Sequence, residues 1–150
     1  MITAAAIFLS FAVQQEAAAT TQAPMQFRLE CKVVEVPNIK GPEISVSPIE
    51  PKVTFAATTK LVTSPMIRTL ESMAASTSIT DQNGNGDKLW LLPSRTKDGR
   101  FGLSVEISNT RNGTTITQKV NVKLNAQEWV QIISKSRKRV VTIKLDPVLD

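Results

Sequence analysis

The chain has 150 residues, 41% of them hydrophobic and 21% charged, so it is long enough to bury a core and too apolar to be disordered throughout. Eighteen Lys and Arg against thirteen Asp and Glu give a net charge of +5, but the basic residues are scattered along the sequence. Five Phe and two Trp offer few aromatic rings on which bases could stack. Both observations argue against a nucleic-acid partner. The absence of histidine excludes His-based triads, imidazole acid–base catalysis and most zinc sites. We find no catalytic constellation, and we predict a protein that is not an enzyme and requires no cofactor.

Residues 1–19 are typical of an export signal. Ile2–Ala12 is an uncharged apolar run that is too short to span a bilayer, and small residues near Ala12 and at Ala19 offer cleavage sites. No Lys or Arg precedes this run, so a plain N-terminal helix is the alternative. We predict an exported protein, and no transmembrane helix in the mature chain, because no later stretch is long and apolar enough to form one.

A linker over residues 20–26 is predicted to lead into a single β-rich domain over residues 27–150. Phe27–Val36 is predicted to be the first strand, which Pro37 ends because proline lacks the amide that a ladder needs. Alternate residues of this strand form one apolar face: Phe27, Leu29, Cys31 and Val33. Cys31 is the single cysteine, so no intrachain disulfide can form, and we expect its thiol to be a small buried hydrophobe.

Two conformations are open for the segment that follows the predicted strand Val53–Val62. Ser64 and Pro65 suit the N-cap and the first position of a helix, whose apolar face would consist of Ile67, Leu70, Met73 and Ala74. The same stretch also suits a strand at Met66–Leu70 that turns at Glu71. Local propensity alone slightly favours the helix.

The segment DQNGNGD, residues 81–87, matches the first half of a calcium-binding loop. Gly86 would permit the sharp turn of such a loop, and four side chains would supply the oxygen ligands: Asp81, Asn83, Asn85 and Asp87. The twelfth position, where a bidentate acid is expected, is Leu92, so calcium would be held weakly. A turn between two strands explains the same letters, and both interpretations remain open.

The clearest pattern in the chain is Lys97–Leu124, which predicts a β-hairpin. Hydrophobic residues alternate with polar ones along both arms: Phe101, Leu103, Val105, Ile107, Ile116, Val120, Val122 and Leu124. Asn112-Gly113 lies between the arms and accepts the positive φ angles that a tight turn needs. We expect the apolar row to be core and the hairpin to be the centre of a meander, with a short strand at Leu89–Leu92 before it and a strand at Trp129–Ile133 after it.

A basic turn separates the strand at Trp129–Ile133 from a last strand in which Val141, Ile143 and Leu145 alternate with polar residues. The turn carries four cations: Lys135, Arg137, Lys138 and Arg139. They could bind phosphate or another surface anion, or they could form a solvated hairpin tip whose charges deter edge-to-edge pairing. Together these elements predict an all-β fold, mainly an antiparallel meander or sandwich, with an N-terminal signal helix and at most one further short helix.

Six segments match, in chain order, a pattern known from one protein family. They are Phe27–Val36, Ser64-Pro65, Thr69-Leu70-Glu71, Ala75–Ile79, Leu91–Ile107 and Leu124–Ile133. The pattern resembles that of the bacterial secretins of type II and type III secretion systems, in which a strand ends in Ala/Ser-Pro, passes through a Thr-Leu-Asp-Gly-like turn and resumes with an alternating strand. The resemblance implies a reduced, secretin-like β-domain with a strand, not a helix, at Met66–Leu70.

The resemblance also implies a role in the cell envelope. It would make the chain a non-enzymatic protein of the periplasm or the outer membrane that acts by self-association or by binding protein partners in a secretion or pilus assembly. The alternative is a stand-alone exported β-sandwich that binds a ligand or a surface, with weak calcium binding at residues 81–87.

Overall fold

The computed structural model describes residues 23–37, 39, 41–51, 60–134 and 137–148. The regular structure of these ranges consists of ten β-strands, each antiparallel to the strands it pairs with. They are β1 (Gln26–Glu35), β2 (Ile44–Ser47), β3 (Lys60–Thr63), β4 (Met66–Leu70), β5 (Ala75–Thr80), β6 (Gly86–Arg95), β7 (Phe101–Arg111), β8 (Thr114–Leu124), β9 (Trp129–Ser134) and β10 (Arg139–Val148). The predicted all-β, antiparallel fold class is confirmed.

Strands β1 and β10 form the centre of a six-stranded sheet. They pair over ten residues, and β9 and then β2 extend the sheet beyond β10. On its other side β1 pairs with β4 along its first half and with β3 along its last residues. The chain bends between β3 and β4 at Ser64-Pro65, where the Pro65 carbonyl accepts the Cys31 N–H at 3.0 Å and Ser64 Oγ donates to the Cys31 carbonyl at 3.3 Å.

The segment with two open conformations is a strand. Met66–Leu70 pairs residue for residue with the first half of β1, from Met66↔Glu30 to Leu70↔Gln26. The helix that local propensity favours is wrong, because intrinsic preferences of less than about 1 kcal/mol per residue are easily overridden by ladder pairing and side-chain burial. The strand that the secretin resemblance implies is confirmed.

Strands β5, β6, β7 and β8 form a four-stranded sheet in chain order. The predicted hairpin is confirmed as the pair β7–β8, which runs from Arg111↔Thr114 at the turn to Phe101↔Leu124 at the open end. Asn112 and Gly113 form the two-residue turn with φ angles of 50° and 79°. Two successive positive φ angles are the mark of a type I′ turn, whose twist matches that of the two arms.

Strand β6 is longer than the predicted Leu89–Leu92. It pairs with β7 over ten residues, from Gly86 to Arg95, so residues with weak strand propensity are included by pairing. Pro93 lies inside this strand although proline cannot donate to a ladder. Proline is tolerated here because β5 pairs with β6 only as far as Leu91. Pro93 lies beyond that ladder, so its missing N–H leaves no hydrogen bond of the β5–β6 pair unmade.

The predicted continuation of the meander is wrong. After β8 the chain crosses to the six-stranded sheet, where β9 pairs with β10 and β2 and not with β8. The residues of β9 explain this position, because Trp129, Val130, Ile132 and Ile133 are all buried and therefore need cover on both faces. Val130 and Ile132 face the interior between the sheets, and Ile133 packs with a second cluster on the opposite face.

The two sheets enclose one core, so the fold is a sandwich. Its members come from both sheets: Phe27, Leu29, Cys31, Val33, Leu89, Leu91, Phe101, Leu103, Val105, Ile107, Val120, Leu124, Val130, Ile132, Val141, Ile143 and Leu145. Phe27 and Phe101 meet edge to face across the sheets, with ring centroids 5.4 Å apart. The predicted core row of the hairpin is confirmed except on the edge strand β8, where Ile116 is 38% exposed and Val122 is only partly buried against the core.

Some predictions fall on residues outside the described ranges. These are the export signal at residues 1–19, residues 20–22 of the predicted linker, and the greater part of the strand at Val53–Val62, which is described from Lys60 onward. Strand β1 begins at Gln26, the last residue of the predicted linker. Among the described residues, no helix has the length and apolar character needed to cross a membrane.

Candidate functional site

The loop between β5 and β6 is shaped by the side chain of its first residue. Asp81 Oδ1 accepts the N–H groups of Asn83 at 2.8 Å and Asn85 at 3.0 Å, and the Asp81 N–H donates to the Asn85 carbonyl at 2.8 Å. Asn85 Oδ1 in turn accepts the N–H of Asn112, in the turn of the neighbouring hairpin, at 2.8 Å. These bonds order the loop as an aspartate-capped turn and fix it against the next turn of the same sheet.

The fourth predicted calcium ligand has a different environment. Asp87 lies in β6, faces the interior and binds Arg139, with its carboxylate only 9% exposed. The described residues contain no group of three or more His, Cys, Asp or Glu side chains placed to hold a metal ion. Calcium binding at Asp81, Asn83, Asn85 and Asp87 stays a prediction, which a rise in the thermal midpoint with calcium relative to chelator would support.

The predicted basic turn divides into residues with different environments. Lys138 is exposed, and Arg137 Nη2 donates to the Thr114 carbonyl at 3.1 Å, next to the hairpin turn. Arg139 is 5% exposed and points into the sandwich, so its guanidinium is not part of a surface cluster. Lys135 lies outside the described residues. Anion binding at Lys135, Arg137 and Lys138 stays a prediction.

Arg139 belongs to a buried polar cluster that joins the two sheets. From β10 it donates through Nε to Asp87 Oδ1 at 2.9 Å and through Nη2 to Asp87 Oδ2 at 3.2 Å. Asn109 on β7 donates to Asp87 Oδ1 at 2.8 Å, while Glu35 on β1 lies 3.7 Å from Arg139 Nη1 and 3.6 Å from Arg111 Nη2. A bidentate pair with so little exposure fixes the relative position of the sheets.

The buried thiol of Cys31 is not an activated nucleophile. The Cys31 thiol is 1% exposed, and burial, with a smaller effect of the Glu30 charge, raises its pKa to about 12. A thiol with this pKa stays protonated at neutral pH, and the thiolate is the reactive form. The expectation that Cys31 is a small buried hydrophobe is confirmed.

The two edge strands of the four-stranded sheet form a candidate interaction surface. No strand of the described ranges pairs with the outer edge of β5 or of β8. β5 reads ASTSIT and the first half of β8 reads TTITQ, so these two segments contain no charged residue and no proline, whereas the second half of β8 carries the exposed Lys119 and Lys123. Lysine, proline and bulges are the usual protections of exposed strands, and both edges pair with their inner neighbours without a register shift.

The backbone groups that face outward follow from the pairing. In a two-residue hairpin the residues beside the turn form a hydrogen-bonded pair, so in β8 Thr114 faces β7 and Thr115 and Thr117 face outward. In β5 the hydrogen bond from the Asp81 N–H to the Asn85 carbonyl fixes which backbone groups face β6 and which face outward. It leaves the backbone groups of Ser76, Ser78 and Thr80 on the outer edge.

Comparisons with known proteins identify the architecture. No protein-family profile and no curated protein sequence matches the chain. A solved structure of the Salmonella SPI-1 type III secretion injectisome secretin InvG in the open gate state matches with a TM-score of 0.52 and 11% sequence identity, and the match covers 88% of this chain and 63% of that one. The fold is secretin-like.

A second solved structure, the InvG secretin domain β-barrel from the Salmonella SPI-1 injectisome NC-base, matches with a TM-score of 0.49 and 11% identity over 88% of this chain and 65% of that one. The chain thus spans less than two thirds of the length of either structure. The secretin-like β-domain that the sequence segments predict is confirmed as a fold. The sequence analysis predicted neither the buried pair of Asp87 and Arg139 nor the uncharged edge segments. An aspartate at an inward-facing position of β6 could have indicated the pair.

Proposed function

We propose that this protein is a non-enzymatic structural β-domain of a secretion assembly in the cell envelope, and that it associates with copies of itself through the edges of its four-stranded sheet. The observation that carries the proposal is the pair of uncharged edge segments, β5 and the first half of β8, on a secretin-like fold. An exposed strand without charge, proline or bulge is a template for pairing with another chain. A self-association surface accounts for the missing protection.

The strand directions favour the four-stranded sheet as the place of association. Its strands alternate in direction, so β5 and β8 run in opposite directions. A copy placed alongside in the same orientation therefore brings its β5 against β8 as an antiparallel pair. Along the path β2-β9-β10-β1-β3 the two outer strands run in the same direction, and the same arrangement would create a parallel pair, which is less stable per residue.

Pairing of β5 with β8 joins two different surfaces, so each copy keeps one edge of each kind available. An interface of this heterologous type generates a ring when the rotation between copies closes, and a filament when it does not. The backbone groups facing outward on the two edges would then donate and accept between copies, as they do within the sheet. A ring of this kind would give a small non-enzymatic domain a structural role in a secretion assembly.

Export to the periplasm or the outer membrane is part of the same proposal. It is supported by the apolar, uncharged run at Ile2–Ala12 and by the origin of the matching open-gate secretin structure in a type III secretion injectisome. The proposal of a non-enzymatic role is supported by the absence of histidine from the sequence and by the buried, protonated thiol of Cys31. The partners are further copies of the chain or other proteins of the assembly.

The experiment blocks one edge without disturbing the fold. Thr117→Pro removes an outward-facing N–H and adds a ring that clashes with an added strand, while the ladder between β7 and β8 keeps its hydrogen bonds. The matched control, Thr117→Ala, keeps the N–H. By light scattering, the unmodified chain and Thr117→Ala should be oligomeric and Thr117→Pro monomeric with an unchanged circular dichroism spectrum. An unmodified chain that is monomeric at every concentration would refute self-association.

A further inference from the structure

Two isoleucines on opposite edges of the four-stranded sheet are left exposed. Ile79 on β5 is 44% exposed and Ile116 on β8 is 38% exposed. Both lie on the face of the sheet that packs against the six-stranded sheet, as their cross-strand partners Asp87 and Asn109 do. The centre of this face is covered by the six-stranded sheet. Ile79 and Ile116 lie at its margins, where no described residue covers them fully.

The two isoleucines also lie in one row across the sheet. Ile79 pairs with Asp87, Asp87 pairs with Asn109, and Asn109 pairs with Ile116. The row therefore begins and ends with an exposed apolar side chain. If a second copy continues the sheet without an offset, its Ile79 lies directly opposite Ile116 of the first copy.

Building on the proposed association, we infer that Ile79 of one copy packs against Ile116 of the next, in an antiparallel β5–β8 pair that continues the rows of the sheet without an offset. This register buries the two exposed isoleucines against each other. Directly opposed side chains on one face of an antiparallel pair are in contact, and apolar β-branched pairs of this kind stabilise a sheet.

The opposite face of the sheet supports the same register. Within one copy, the hydroxyls of Thr110 and Thr115 lie 2.8 Å apart and those of Ser108 and Thr117 lie 3.1 Å apart, as cross-strand pairs between β7 and β8. The unshifted register brings hydroxyl residues of the next copy beside the outer members of these rows: Thr80 beside Thr115 and Ser78 beside Thr117. The hydroxyl rows then continue across the interface.

Other registers leave the isoleucines less well matched. A shift of one residue would turn the apolar face outward, so only even shifts are possible. A shift of two residues places Ile79 opposite Thr114 or Gln118, and the Gln118 amide already donates to Glu43 at 2.7 Å. A shift of four residues, which would tilt the strands, places it opposite Val120, which is only 5% exposed within one copy. In each case the two isoleucines no longer lie opposite each other.

Disulfide cross-linking measures the register. Ile79→Cys is combined in one chain with cysteine at position 114, 116, 118 or 120, and the oxidised proteins are compared on non-reducing gels. Ile79 and Ile116 of one copy are separated by three strand spacings, about 14 Å, which is too far for an intramolecular disulfide. Opposite each other between copies, their Cα atoms would lie about 4.5 Å apart, within disulfide range. The native thiol of Cys31 is buried and protonated, so it does not compete.

The inferred register predicts that the Ile79→Cys/Ile116→Cys protein loses most of its monomer band to covalent multimers, while the other three pairs lose severalfold less. Stronger cross-linking of any other pair, in a chain that is oligomeric by light scattering, would overturn the register and leave the proposed self-association standing. A monomeric unmodified chain, with no cross-linking in any pair, would overturn both. If the core-facing variants fail to fold, the exposed pair Ser78→Cys/Thr117→Cys tests the same register from the other face.

Discussion

The buried pair of Arg139 and Asp87 should hold the two sheets together, and removing either partner should destabilise the domain strongly. The side chains are 6% and 9% exposed, and they form two hydrogen bonds of 2.9 Å and 3.2 Å. Breaking a buried ion pair by removing one partner costs about 3–5 kcal/mol, because the other charge is left without compensation. Arg139 keeps Glu35 at 3.7 Å when Asp87 is changed, so we expect Asp87→Asn to lie at the lower end, at about 3 kcal/mol.

Arg139→Met keeps the length of the side chain and leaves the Asp87 carboxylate with Asn109 as its remaining described donor in this cluster. We expect it to lose about 4 kcal/mol. The double variant Asp87→Asn/Arg139→Met no longer buries an unpaired charge, so its loss should be smaller than the sum of the single losses by about 2 kcal/mol or more. Urea unfolding followed by tryptophan fluorescence measures all three values, since marginal domain stabilities of about 5–15 kcal/mol make such losses large.

Losses that add to within about 0.5 kcal/mol would refute the reasoning, because independent sites are additive and directly coupled ones are not. Single losses below about 1 kcal/mol would also refute it, since that is the range of solvent-exposed ion pairs. Arg28→Met is the matched control: Arg28 pairs with Asp146 at 3.3 Å, but its side chain is 43% exposed. We expect its removal to cost less than about 1 kcal/mol.

Three further predictions concern other parts of the fold. Val105→Asp places a charge at a core position that is 1% exposed, so its free energy of unfolding in urea should fall by about 4 kcal/mol or more. Ser104→Asp, on the opposite face of β7, should change this free energy little. Equal stability of both variants would show that the face of β7 assigned to the core is wrong. Gly113→Ala meets no steric obstacle but must adopt a φ of 79°, so it should lose about 1 kcal/mol, and an unchanged midpoint would contradict the strain argument. Hydrogen bonding from Arg95, 2.8 Å away, holds the pKa of Glu71 below its usual 4.5. The stability that the Glu71 carboxylate contributes is therefore present above pH 4.5 and is lost as the pH falls through the lowered pKa. The wild type should be more stable than Glu71→Gln at neutral pH and equally stable in acid, and a difference that stays constant with pH would exclude this linkage.

The sequence predicted those parts of the fold that depend on local signals. The β7–β8 hairpin has an uninterrupted period of two and an Asn-Gly turn, and each is sufficient to locate it. The strand at Met66–Leu70 depends instead on pairing with β1, some forty residues earlier, so local propensity alone favoured the wrong structure. The resemblance to secretin segments supplied the missing long-range information.

The route of the chain after β8 was mispredicted for a similar reason. Alternation tells which residues of a strand face the core, but it does not tell which sheet the strand joins. β9 is buried on both faces, and its apolar residues on both sides of Gln131 were the signal for a central strand rather than the edge of a meander.

The candidate sites depend on long-range contacts still more strongly. Asp87 was predicted as a calcium ligand and Arg139 as part of a surface cluster, and the structure joins them across 52 residues of sequence as a buried pair. Residue type alone could not distinguish these roles, because a carboxylate and a guanidinium serve equally on a surface and inside a paired network. Ile116 was predicted to lie in the core because it belongs to the alternating apolar row. Alternation does not show that its strand, β8, lies at the edge of the sheet.

The central claim is that the chain assembles through the edges of its four-stranded sheet. Native mass spectrometry of the unmodified full chain, at several concentrations and at neutral pH, tests it most directly. We expect one dominant species at an integer multiple of the subunit mass, as a closed ring requires, that is lost in Thr117→Pro and retained in Thr117→Ala. A single species at the subunit mass across all concentrations, with the β-rich fold intact, would contradict the claim.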